Sequence, residues 1–244
     1  MLRTAKAIVR SLVVLAILAA LAVAGFVFVR DRPQDVPWPP LDLGQPIGAF
    51  TRQKLVALGE DFPQCRALLD RAGVDYAVKP ARGDGQCVQE DGLILEPGGA
   101  TTVRLRPASV APSCPVVSAL AIWEWQVVQP AARQYLGSPI ADIGHYGSYS
   151  CRRMYGASEG KWSEHATGNA IDIASFTTED GKTVSVLDDW NGGTEDQQAF
   201  LRVVRDGACD LFATVLSPDY NSAHANHFHF DQANRGGMGW GACR

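Results

Sequence analysis

Apolar and polar positions divide the chain into stretches of different character. The first is an uninterrupted apolar run from Ser11 to Val29, built of Leu, Val, Ala, Ile and Phe, close to the ~20 residues a helix needs to cross a bilayer. Arg3, Lys6 and Arg10 precede it and Arg30 ends it. Ala22-Val-Ala24 before Gly25 fits the small-residue pattern of a cleaved signal peptide. The run continues, however, through Phe26-Val-Phe-Val29, which favours an uncleaved anchor over residues 1–30, with the basic N-terminus in the cytoplasm and the remainder exported. Residues 31–50 then carry Pro33, Pro37, Pro39, Pro40 and Pro46, a density that forbids regular helix and predicts an extended spacer.

Beyond residue 50 the pattern becomes periodic. Phe62, Cys65, Leu68, Leu69 and Ala72 recur at helical spacing, which predicts a helix over 61–74. Tyr76–Val78 and Gly92–Glu96 read as strands. Pro97-Gly-Gly99 marks a turn into Thr101–Leu105, which predicts a hairpin. Ser113 is a plausible N-cap and Pro115 a first-turn proline for the main core helix, which runs to Gly137 and ends or kinks at Pro130. Trp123 and Trp125 on that helix are read as core, with a ligand platform as the alternative. Ile140–Arg152 reads as a strand whose glycines suggest a close approach to the backbone. Gly181–Val186 is a further strand, and Thr194–Ala208 is a helix with Thr194 as cap. Residues 51–244 thus read as one α+β domain.

Composition adds two constraints. Four of the 22 basic residues lie in the first 30, which leaves 18 against 26 acidic groups, a net −8, in the rest; no basic nucleic-acid surface is implied. Six cysteines, Cys65, Cys87, Cys114, Cys151, Cys209 and Cys243, in an exported chain point to disulfides. No Cys-x-x-Cys pair suggests a zinc ribbon. Neighbour pairing, 65 with 87, 114 with 151 and 209 with 243, is the simplest expectation.

The candidate chemistry lies in Ser163-Glu-His-Ala-Thr-Gly-Asn-Ala-Ile-Asp172 and His224-Ala-Asn-His-Phe-His-Phe-Asp231, which hold four of the five histidines. Along Asn169–Ser175, strand alternation puts Ile171 and Ile173 on one face and Asp172, between Ala170 and Ala174, on the other. His165 would reach Asp172 from a loop turning at Gly168. In the second segment Phe228 and Phe230 share the core face, while His227, His229 and Asp231 share the other, spaced by about 6.5 to 7 Å. Zinc reaches only ~2 Å to a ligand nitrogen. One histidine of the pair is therefore expected to be a ligand and the other to sit beside the metal or the substrate. A lone buried His bonded to Asp is commoner than a ligand; two such segments together favour a metal site.

These motifs resemble the zinc peptidases that include D-Ala-D-Ala dipeptidases and carboxypeptidases and the penicillin-insensitive murein endopeptidase, a group sharing the hedgehog fold. From about Cys65 to Cys243, with Tyr149-Ser-Cys-Arg152 and the two segments above, the chain is closer still to the bacterial extensin-like C-terminal domain. The resemblance implies a hedgehog/DD-peptidase-like domain with a central antiparallel sheet flanked by helices. It also implies one zinc ion held by His165, Asp172 and His229, and substrate contacts from Ser163 and Arg152. Where many dipeptidase relatives carry a glutamate base, Asn226 stands here, so the base falls to His227, with His224 as competitor. The implied function is a periplasmic, inner-membrane-anchored peptidase of peptidoglycan peptide stems or crosslinks. A non-catalytic, zinc-stabilised wall-binding module is the alternative.

Overall fold

The structure is a computed structural model and describes residues 2–236 and 241–244. The apolar run forms a single helix, α1 (Leu2–Asp31), and within its Ala5–Asp31 portion an 18-residue window has mean hydropathy 3.0. That is long and apolar enough to cross a membrane or to serve as a signal sequence.

The proline-rich stretch is irregular, as its composition requires, but its second half is not a free spacer. Leu41 and Leu43 are buried in the main core. The Gln126 amide donates to the Gln45 carbonyl (2.8 Å) and accepts from the Ile47 N–H (3.0 Å). The expected 31–50 linker is therefore corrected from about Leu41 onward, because its leucines find apolar surface to cover. The strap leads into α2 (Thr51–Ala57), which the sequence pattern does not announce, and then α3 (Phe62–Arg71), where Asp61 accepts from the Gln64 N–H.

β1 (Tyr76–Val78) and β2 (Leu93–Leu95) pair antiparallel as a small ribbon. The hairpin expected between 92–96 and 101–105 does not form. β3 (Arg104–Arg106) instead joins the large sheet, parallel to β4 (Ile140–Gly147). The buried Glu124 carboxylate accounts for the diversion by accepting from the Thr102 N–H and hydroxyl and the Val103 N–H at 2.8, 2.7 and 3.2 Å.

The core helix starts after Ser113 as α4 (Cys114–Trp123). It widens to π-type turns over Glu124–Val128 and Ala132–Leu136 around α5 (Gln129–Ala131), and ends at left-handed Gly137. Pro130, which has no N–H for the regular ladder, is absorbed by this widening rather than by a break. Trp123 is fully buried, lies edge-on to Phe230 at 5.2 Å, and donates to the Val204 carbonyl. It is core, as read, and not a platform.

The remaining elements are β5 (Ala170–Thr178), β6 (Thr183–Ser185), α6 (Val186–Gly192), α7 (Glu195–Ala208), β7 (Thr214–Leu216), β8 (Phe228–Asp231) and β9 (Ala242–Cys243). The large sheet runs β3-β4-β5-β8-β7-β9, with β6 added to β5. Its centre, β4-β5-β8-β7, is antiparallel and its outer pairs β3/β4 and β7/β9 are parallel, so the protein is a mixed α+β domain.

The disulfides are Cys65–Cys114, Cys87–Cys151 and Cys209–Cys243. Only the last agrees with neighbour pairing. Cys65 and Cys114 join because α3 packs on α4. Cys87 meets Cys151 because the 83–87 loop lies against Tyr149, whose hydroxyl donates to the Cys87 carbonyl (2.9 Å).

Candidate metal centre

β5 and β8 pair with Asp172 opposite His229 and Ala170 opposite Asp231. Directly opposed residues share a face. The alternation that buries Ile171, Ile173, Phe228 and Phe230 therefore turns Asp172 and His229 to the other side. On β4, Asp172 is paired with Gly147, at φ +122°, so no side chain crowds the carboxylate from that strand. The strand's other glycine, Gly144, lies instead against the Ser175 side chain.

His165 arrives from a short turn, Glu164–Thr167, capped by Ser163, whose hydroxyl accepts from the His165 N–H. Gly168 closes the turn at φ +71°, and a Cβ there would strike the buried Gln89 amide, so both conformation and space require glycine. The 148–150 segment clamps the turn. The Ser150 N–H donates to the His165 carbonyl (2.8 Å) and the Ser148 hydroxyl to the Gly168 carbonyl (3.1 Å).

Three atoms converge. His165 Nε2, Asp172 Oδ1 and His229 Nδ1 lie 3.2, 3.1 and 3.0 Å apart in their three pairings. A tetrahedral zinc with bonds of ~2.0–2.1 Å holds its ligand atoms about 3.3 Å apart, so the triangle has the right size. The tautomers agree. His165 Nδ1 lies 2.8 Å from the Ser148 carbonyl, which can only accept, so Nδ1 carries the proton and Nε2 is bare. Likewise Asp231 Oδ2, 3.1 Å from His229 Nε2, accepts that N–H and leaves Nδ1 bare. Two lone pairs and a carboxylate oxygen then face one point, which is repulsive unless positive charge lies between them. A carbonyl or carboxylate behind the ring is the usual support of a metal-ligating histidine.

Without a cation between the three atoms, a proton takes its place. Burial lowers the His229 pKa, but the bonds to Asp172 and Asp231 outweigh it and hold the imidazole up at about 9. Near neutral pH, Nδ1 is therefore bared only when a cation displaces that proton. Burial raises Asp172, and the two histidines outweigh that, holding its carboxyl well below the usual range. The donor set thus fits a cation such as zinc, and among the described residues His165, Asp172 and His229 are the group so arranged.

His227 stands beside this centre rather than in it, with Nε2 3.6 Å from Asp172 Oδ1. Its Nδ1 lies 2.8 Å from Asn226 Oδ1, and Asn226 Nδ2 donates to the Tyr146 hydroxyl at 3.4 Å. That chain puts the proton on Nδ1 and leaves Nε2 bare. Burial lowers the His227 pKa, partly offset by Asp172, and takes His224 down to about 4 with help from His227 and His229. Both are neutral near pH 7. The His224 ring lies 5.2 Å from His227 and 6.0 Å from His229.

These residues open on a cleft of about 780 Å³, also lined by Ser163, Arg152, Lys161, Arg235 and Arg244, with Tyr155, Trp162 and Tyr220. The expected site residues are therefore all brought to one cleft. Of the two adjacent arginines it is Arg152 that lines it, since the Arg153 guanidinium lies over Trp162 and donates to the Gly160 carbonyl. Sequence reading put Asp231 on the right face without giving it a role, and it missed Ser148, Tyr146 and the other cationic residues. The His229-x-Asp231 spacing was a signal for the first; the rest depend on register and loop packing. The remaining histidine, His145, faces the Pro107 carbonyl (2.8 Å) and lies outside the cleft.

Fold and cluster together define an α+β domain with a His-Asp-His centre suited to a metal ion. Residues 63–244 match the family described as Extensin-like protein C-terminus, and the chain belongs to that family. No curated protein and no solved structure matches it.

Proposed function

We propose that the chain is a zinc-dependent peptidase of the hedgehog/DD-peptidase fold group, acting on the peptide stems or crosslinks of peptidoglycan. In this reading α1 anchors it in the bacterial inner membrane and the domain faces the periplasm. The observation that carries the reading is the convergence of two imidazole nitrogens and a carboxylate oxygen, each histidine oriented from behind by Ser148 or Asp231. An ion held by His165, Asp172 and His229 would supply Lewis acidity, polarising a carbonyl and making water acidic enough to attack at neutral pH.

The chain's own groups do the rest. His227, neutral and presenting Nε2, takes a proton and returns it to the leaving amine. Asn226 and Tyr146 hold its tautomer. His224 backs it without touching the three ligands. Arg152 and Lys161 provide positive charge for a peptide carboxylate or a developing oxyanion, and Ser163 fixes the turn that carries His165. The domain's three disulfides suit an oxidising compartment.

Metal analysis of the purified chain, followed by incubation with murein sacculi, tests this. About one zinc per chain and new muropeptides that a chelator abolishes are expected. A zinc-loaded chain that changes no muropeptide, and whose cellular role survives His227→Ala and His224→Ala, would instead be a non-catalytic, zinc-stabilised wall-binding module. Absence of any bound zinc would overturn both.

A further inference from the structure

Outside α1, ten large hydrophobic side chains among the described residues are exposed. Four of the ten, Met154, Tyr155, Trp162 and Tyr220, line the cleft of the metal centre. A fifth, Tyr146, stands beside it with its ring 5.8 Å from that of His227. Exposed apolar residues scattered singly are ordinary, but half of them gathered at one cleft mark a surface that meets a ligand. The four that line the cleft have no part in the reaction proposed above.

Tyr155 adds an independent observation. Its backbone lies in the left-handed region at φ +55°, ψ +20°, which a bulky residue rarely adopts. The residue is 64% exposed, so burial of the ring does not offset the strain. Its hydroxyl is held from a second loop, where Asn221 Nδ2 donates to it at 3.5 Å and the Tyr220 hydroxyl bonds with it. A strained, exposed tyrosine fixed in this way keeps an aromatic face in place for something other than the fold. Trp162 is fixed as well. The Arg153 guanidinium lies 4.6 Å over its ring, and the Met154 N–H closes the loop onto the Lys161 carbonyl at 3.0 Å.

The polar groups among these rings identify the ligand. Arg152, Lys161 and Arg244 line the same cleft, and their charged ends have no hydrogen-bond or ion-pair partner among the described residues. Flat apolar faces bordered by free donors complement a ring that is apolar on its C–H face and carries oxygen acceptors around its edge, which describes a pyranose. An apolar side chain of a peptide would cover those donors without giving them acceptors, which is costly. A nucleotide also has a flat ring, but its phosphates would approach a domain of net −8 beyond the N-terminal segment.

We propose that the rim formed by Tyr155, Trp162 and Tyr220 stacks against sugar rings, so that the ligand of the cleft is a glycan-borne peptide rather than a free one. This rests on reading the cleft as a site for peptidoglycan, whose peptide stems hang from a chain of N-acetylated amino sugars.

The test is binding without turnover. The full chain in detergent micelles, with His227→Ala to block cleavage, is titrated by calorimetry with N-acetylglucosaminyl-N-acetylmuramyl-tetrapeptide and with the same tetrapeptide lacking the sugars. The glycan-borne peptide is expected to bind roughly tenfold more tightly. Tyr155→Gly removes the ring, and the strain it relieves offsets the added freedom of the unfolded chain. It should abolish the preference while the affinity for the free tetrapeptide and the melting temperature stay unchanged. Equal affinities for the two ligands, a preference that survives Tyr155→Gly, or a lowered melting temperature that places Tyr155 in the service of the fold would each overturn the proposal. A third arm carries an N-terminal phenylalanine in place of the sugars: if it binds as tightly as the glycan-borne peptide, the rim takes an apolar side chain and the sugar assignment falls. Failure of the peptidase reading looks different, as crosslinked muropeptides left uncut by the native zinc-loaded chain, whatever the binding preference.

Discussion

His227 shows how much one side chain owes to its neighbours. The Tyr146–Asn226 chain settles which ring nitrogen is bare, and burial keeps the ring neutral. His227→Ala should therefore retain zinc and lose ~10²–10⁴ in turnover, whereas His229→Ala should lose the metal itself; metal content and rate measured on the same samples separate the two. The pH profile follows from the sign of the shift. The base-competent form exists above a pKa pushed below the ordinary 6.5, so activity should fall as pH drops through that lowered value, with the acid limb below pH 6.5. A profile losing activity above neutrality instead would remove His227 from the role. At this scale the sequence was informative in part. Period-two spacing, a local property, put Asp172 on a cleared strand face and His227 and His229 together on another, while the set His165, Asp172 and His229 came from the family resemblance. The division of labour between His227 and His229 was not legible, because it depends on which one faces Asp172 across the strand pair.

At the scale of elements, period and caps predicted α3, α7 and the core helix, and the alternation of β5 and β8 held. What failed was pairing. Nothing within 101–106 says that this strand prefers β4 to β2, since the decision lies with Glu124, about 20 residues on, and with Asp142. The latter accepts from Arg104 at 2.8 and 2.7 Å and from Arg106 at 2.8 Å. Arg104 above all, helped by Arg106, holds the Asp142 carboxyl down at about 2, and burial, the second-largest influence, opposes them. A depressed carboxyl stabilises the fold above its unfolded pKa of ~3.9 and loses that contribution as pH falls through the folded value. Asp142→Asn should thus cost about 1 kcal/mol at neutral pH, given that both arginines are half exposed. Relative to the mutant, the native advantage should vanish between pH 4 and 2; chemical denaturation across that range measures it.

The whole molecule is tied together by links that run between distant segments, which is why local reading missed two of its three disulfides. Cys87–Cys151 spans 64 residues and Cys65–Cys114 spans 49. Their partners become neighbours only once α3 lies on α4 and the 83–87 loop lies on Tyr149. Removing Cys87–Cys151 by paired serine substitution should cost ~2–4 kcal/mol of stability, read as a lower melting temperature. The bond also has a second consequence. Cys151 follows directly on Ser148–Ser150, the segment that orients the His165 ring and grips its turn. A reduced chain lacks that anchor and presents a looser third ligand, so zinc affinity should fall on reduction. On the proposed zinc reading, maturation would then have an order, oxidation first and metal second, with a newly made chain holding metal weakly until its disulfides close.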